Sequence, residues 1–119
     1  MAAKGKAVKR KAAMKSPNPV NVYVRSGVIS VDQEPVHVWG PRATITWVMQ
    51  TPGYSFHANT ISIQNDDGRE FAKSSHSKSK HVWSNKNSFP KTYKYTVSVM
   101  RDAGAPHPQP LDPNIVNQG

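Results

Sequence analysis

The chain has 119 residues and a mass of 13.2 kDa, room for a single domain and a tail. Its formal charge is +9, its hydrophobic share is 36%, and it has no cysteine. The missing thiols exclude disulfides, thiolate nucleophiles and thiolate metal sites. The apolar share predicts that part of the chain stays outside any core.

The basicity is concentrated at the start. Residues 1–15, "MAAKGKAVKRKAAMK", hold Lys4, Lys6, Lys9, Arg10, Lys11 and Lys15 with no acid, which leaves +3 for the remainder. Alanine and lysine favour helix, but a segment this short with Gly5 inside it makes a marginal helix in water. Residues 1–19 therefore read as a disordered basic arm ending in a proline linker, since Pro17 and Pro19 restrict themselves and their predecessors. The positive start is not followed by the apolar run of a secretory signal, and no stretch reaches the roughly 18 apolar residues of a membrane helix. A soluble, cytoplasmic protein without a membrane partner is the expectation.

From Val20 the apolar period becomes two. Val20, Val22 and Val24 share one face of "VNVYVR", Ile29 and Val31 one face of "VISVD", and Val36 and Val38 one face of "PVHVW". In "RATITWVMQ", Ala43, Ile45, Trp47 and Met49 alternate with Thr44, Thr46 and Gln50. "TISIQ" aligns Ile61 with Ile63, "REF" offers Phe71, and "KHVWS" offers Val82 as its inward residue, with Trp83 on the exposed parity. "TYKYTVSVM" aligns Tyr93, Tyr95, Val97 and Val99, a half-buried strand. Between these runs stand turn signals: Gly27, "WGP", "TPG", "NDDG", "SNKN" and "DAG". The pattern predicts an all-β chain, an antiparallel Greek-key sandwich of about seven or eight strands over residues 20–119. The proline-rich end, "APHPQPLDPNIVNQG", is expected to supply at most a brief edge pairing through "NIV".

"TITWVMQ", a loop, a middle hairpin and "FPKTYKYTVSV" resemble, over residues 36–100, the cupredoxin sandwich. An immunoglobulin-like sandwich satisfies the same pattern equally well. In the cupredoxin family such strands lead to the histidines, cysteine and methionine that hold copper. Tyr93 and Tyr95 match the aromatic pair of the family's ligand strand. Val97 stands where the cysteine would, Lys91 replaces the glycine before the pair, and the next histidine is His107. Only His57 matches the first ligand. A blue-copper centre needs a thiolate with two imidazoles, so the resemblance implies the fold without the metal, and no cofactor is expected.

His37, His57, His76, His81 and His107 show no metal-ligand spacing, and Lys73, Lys78 and Lys80 surround His76 and His81. They read as exposed or hydrogen-bonded structural residues. Asp66 and Asp67 fall in a turn, where Asp bonds local backbone. No nucleophile elbow, phosphate loop or dinucleotide fingerprint is present, so no enzyme is expected. Residues 72–94 contain Lys73, Lys78, Lys80, Lys86, Lys91 and Lys94 without an acid, among Trp83, Phe89, Tyr93 and Tyr95. Trp39 and Trp83 suggest a rim platform for a sugar or a protein. The expectation is a monomeric, non-enzymatic binding module. Its alternative is sequence-nonspecific nucleic-acid binding led by the arm (Lys4, Lys6, Lys9, Arg10, Lys11, Lys15) and assisted by Lys73, Lys78, Lys80 and Lys86. A competing interaction reading takes up a partner chain along an exposed sheet edge.

Overall fold

The computed structural model describes residues 17–67 and 69–119. The expected basic arm, with Lys4, Lys6, Lys9, Arg10, Lys11 and Lys15, lies outside them. The described strands are β1 (Val20–Arg25), β2 (Val28–Val31), β3 (Val36–Val38), β4 (Ala43–Met49), β5 (Tyr54–Ser55), β6 (Ile61–Ile63), β7 (Phe71–His76), β8 (Lys80–Asn85), β9 (Lys91–Val97), β10 (Met100–Arg101) and β11 (Asn114–Asn117). No helix occurs among the described residues, so none there is long and apolar enough to cross a membrane.

A five-stranded sheet has the order β2-β1-β4-β8-β7, a four-stranded sheet the order β3-β11-β9-β6, and β5 pairs with β10 in a short ribbon. The alternating valines and aromatics decide which faces meet. Val20, Val22, Ile45 and Trp47 from the larger sheet and Val36, Tyr93, Tyr95, Val97 and Ile115 from the smaller are all buried in one core. The result is a β-sandwich, as the period-two runs predict.

The expectation of seven or eight antiparallel strands needs correction. Eleven strands are described, and two pairings are parallel: β1 with β4 (Val20↔Trp47, Val22↔Met49) and β11 with β3 (Ile115↔Val36, Asn117↔Val38). Parallel neighbours need a long crossover instead of a tight turn, so turn signals do not reveal them. The C-terminal segment is also not an edge. β11 lies between β9 and β3. Its prolines end at Pro113, before the strand begins, and that carbonyl accepts from Tyr95 N–H at 2.9 Å.

The parity of β8 is the reverse of that expected. Ile45 pairs with Trp83, Trp47 with His81 and Ala43 with Asn85, so His81, Trp83 and Asn85 face inward. His81 and Asn85 are buried, and Trp83 is half-buried against the core. The register of apolar β4 overrides the local preference of Val82. The Trp39–Trp83 platform is excluded with it. Trp39 instead stacks on His37, ring centroids 5.5 Å apart.

Candidate nucleic-acid interface

The β7–β8 hairpin carries three of the six described lysines singled out by the sequence, Lys73, Lys78 and Lys80. Residues 72–80, "AKSSHSKSK", are all exposed and include Lys73, Lys78, Lys80, His76 and serines 74, 75, 77 and 79, without an acid. Such polar, lysine-bearing strands are stable only at an edge, and β7 is the edge of its sheet. A bulge between Lys73 and Ser75 shifts the register, so that His76 pairs with His81 on one side of the sheet. The hairpin is tied to the body by one main-chain and one side-chain bond: Phe56 N–H donates to Lys78 O at 2.7 Å, and the Lys73 ammonium Nζ donates to Ala58 O at 2.5 Å. Beside it lies an open groove of about 460 Å³ lined by Ser55, Phe56, Lys78, Met100, Arg101 and Asp102. Arg101 adds a fourth cation at this end, and Met100 is 44% exposed. The acid of the groove, Asp102, accepts from Ser55 Oγ at 2.5 Å.

Lys86 is not part of this surface. It follows β8 at the far end, about 20 Å along the strand from Lys80 at a rise near 3.3 Å per residue. There it lines a separate cleft of about 250 Å³ with Arg42, Ala43, Thr44, Ser84 and Asn85. Lys91 and Lys94 lie on β9 in the other sheet, where Lys91 Nζ sits 4.9 Å from the centre of the Tyr93 ring.

Four histidines gather near the hairpin end, and the bonds fix their chemistry. The Trp83 indole N–H can only donate, and it does so to His81 Nδ1 at 3.1 Å. His81 Nε2 must then carry the proton that it shares with Ala58 O at 3.3 Å. This neutral ring is fully buried. Burial holds its pKa below 6.5, assisted by the charges of Lys73 and His76, while the bond to Ala58 opposes the shift. His57 follows the same logic. Its Nδ1 accepts from Asn59 N–H at 3.2 Å, so Nε2 carries the proton and donates to Ser98 Oγ at 3.3 Å. Its pKa is lowered by burial and then by His107 and Lys73. Ser98 and His57 are spaced like a nucleophile and its base, but the imidazole points its proton at the hydroxyl and has no lone pair there to receive one. His107 Nδ1 is occupied by Arg101 N–H at 3.1 Å. Among the described residues no three His, Cys, Asp or Glu side chains come together in a way that holds a metal ion.

The opposite end is built from amides. Asn85 and Asn117 exchange side-chain hydrogen bonds across the two sheets, at 2.8 and 3.2 Å, with both residues buried. Asn87 Nδ2 donates to Val38 O and Gly40 O, and Asn87 Oδ1 accepts from Gly119 N–H. Buried Glu70 accepts from Ser88 N–H at 2.6 Å and Ser88 Oγ at 3.2 Å. Asp66 accepts from the main-chain N–H of Glu70 and Phe71, the local bonding expected of that turn. These polar groups are structural, each with its partners supplied.

Sequence reasoning missed Arg101, whose "RDAG" setting reads as a turn. Its place beside Lys78 depends on the β5–β10 pairing Arg101↔Tyr54. No protein-family model and no curated protein sequence matches the chain.

Proposed function

We propose that this protein is a non-enzymatic binding module whose ligand is a polyanion, nucleic acid engaged through its phosphates without regard to base sequence. The β7–β8 hairpin carries the reading: nine consecutive exposed residues with three lysines, four serines, a histidine and no acid. Lysines neutralise phosphates and serine hydroxyls donate to their oxygens. Arg101 extends the basic surface across the adjoining groove. The six cations of residues 1–15 add to the same attraction. The orientation of His57 toward Ser98 favours binding over catalysis.

The sandwich that carries the hairpin is, on this reading, a cupredoxin-like scaffold without its metal ligands. The parallel β1–β4 pairing, the inward Tyr93 and Tyr95, and His57 facing the strand end at Ser98 favour that relationship. Val97 fills with a valine the position a thiolate would need.

The test is fluorescence anisotropy with labelled duplex DNA over a series of salt concentrations. Each phosphate neutralised contributes about 0.9 to the slope of log K against log salt. The variant Lys78→Gln/Lys80→Gln should therefore lower the slope by roughly 2, with equal effects on unrelated sequences. An unchanged slope would remove the hairpin from the interface. No binding even at low salt would sink the polyanion reading and leave a protein partner along the β7 or β3 edge to be sought.

A further inference from the structure

The groove beside the β7–β8 hairpin holds more than cations, and its lining differs from that of a bare phosphate site. The β5–β10 register sets Met100 opposite Ser55, so both side chains leave the ribbon on one face. Asp102, two residues beyond Met100, returns to that face, where Ser55 Oγ donates to its Oδ1 at 2.5 Å. That donor is neutral, so the carboxylate keeps its charge and has acceptor sites to spare. Met100 is 44% exposed beside this pair. Lys78 lines the same groove, its carbonyl held by Phe56 N–H.

A carboxylate repels a phosphate placed against it, so this lining does not suit a phosphate by itself. It suits a nucleotide whose base is unpaired. A base brings an amine for the Asp102 carboxylate, a π-face for the Met100 thioether, and a phosphate of its own for Lys78. The volume of about 460 Å³ falls within the roughly 300–1,000 Å³ of small-molecule sites. In a duplex the base faces are stacked and the pairing edges are used, so the same groups are withheld. Cytosine, adenine and guanine carry exocyclic amines, and thymine does not.

We propose that this groove seats one unpaired nucleobase bearing an exocyclic amine, such as cytosine. The amine donates to Asp102, the ring lies against Met100, and the adjoining phosphate meets Lys78. The inference rests on the polyanion reading and narrows it. The hairpin holds phosphates of any sequence, and the groove adds a preference for single strands and for amine-bearing bases.

Anisotropy titrations of the full chain with short labelled oligo-dC, oligo-dT and duplex DNA, at one salt concentration and neutral pH, test the seating. Oligo-dC should bind severalfold more tightly than oligo-dT. Met100→Ala should lower the oligo-dC affinity severalfold and leave duplex affinity nearly unchanged. Asp102→Asn keeps an acceptor oxygen for Ser55 but removes a negative charge. A groove that acts by charge alone would then bind all three ligands more tightly, by similar factors. On the proposal this variant gains affinity for the duplex and loses its preference for oligo-dC. Cytidine monophosphate added to the isotope-labelled chain should shift the amides of Ser55, Met100 and Asp102, and inorganic phosphate at the same concentration should not. Equal affinity for oligo-dC and oligo-dT, a uniform response to Asp102→Asn, or amide shifts that phosphate alone reproduces would overturn the seating. If the duplex binds with a hairpin-dependent salt slope while these preferences are absent, the groove inference falls and the polyanion reading stands. If the mononucleotide shifts the amides but no polymer binds, the groove stands and the polyanion reading falls. No binding and no shifts would end both.

Discussion

Tyr93 and Tyr95 stand two residues apart on β9, point into the same core and are both buried, yet removal of their hydroxyls should have opposite effects. The Tyr95 hydroxyl accepts from the Trp47 indole N–H at 3.1 Å, where both residues are 0% exposed. Tyr95→Phe leaves that N–H buried without an acceptor, and an unsatisfied donor of this kind costs about 1–3 kcal/mol. The ring contact, centroids 5.2 Å apart, survives the change. The Tyr93 hydroxyl, in contrast, is buried with no partner. Tyr93→Phe discards a desolvated polar group while keeping the edge contact with Phe71 and the Lys91 cation over the ring. It should be neutral or stabilising by up to about 1 kcal/mol. Urea unfolding followed by tryptophan fluorescence reads both, with unchanged m-values required for the comparison. The gap between the variants should be about 1–4 kcal/mol, or well over 4 °C in melting temperature for most of that range. A loss at Tyr93→Phe equal to that at Tyr95→Phe would refute the reasoning and mean that a water completes the Tyr93 hydroxyl.

Further outcomes concern the polar ends of the sandwich. The reciprocal Asn85–Asn117 pair should show a coupling of about 0.5–3 kcal/mol in a double-mutant cycle with Ala, measured by the same unfolding assay. Glu70→Ala should cost about 1–3 kcal/mol by stranding the Ser88 donors, and Glu70→Gln, which keeps one acceptor oxygen, should cost less. His57 and His81 have pKa values lowered from 6.5, so below that pH the unfolded chain binds more protons than the folded one. Stability should be flat with pH just above 6.5, decline as the pH falls below it, and level off once the folded-state histidines also titrate. His81→Gln should flatten part of that decline in urea midpoints taken across the range; an unaltered profile would assign the dependence to other groups.

Much of the sandwich was legible because its core residues are apolar and its periods clean. The valines of β1, the Ala43–Ile45–Trp47 row and the Tyr93–Tyr95–Val97 row face inward as their alternation implies. What escaped had a physical cause in each case. β8 puts His81 and Asn85 at core positions, and a buried polar residue with its partners satisfied looks in sequence like a solvent-facing one. β11 looked unfit for a central place because of its prolines, but they stop one residue short of the strand. The basic candidates were visible as residue types. Their division between a hairpin, a distant cleft and the other sheet was not, since spatial grouping depends on strand order. The groove beside the hairpin joins residues 55–56, 78 and 100–102, and local composition has no access to such a grouping.

The central place of β11 has a consequence for how the chain is made. The four-stranded sheet needs residues 114–117 between β3 and β9, and the Glu34–Asn114 bonds close a separation of 80 residues. Until that segment emerges from the ribosome, β3 has no neighbour and β9 lacks one of its two, so Val36, Tyr93 and the facing valines cannot be fully covered. Without that segment the chain stays half-folded, with open strand edges in this sheet. With such non-local contacts to close, it should fold slowly once released.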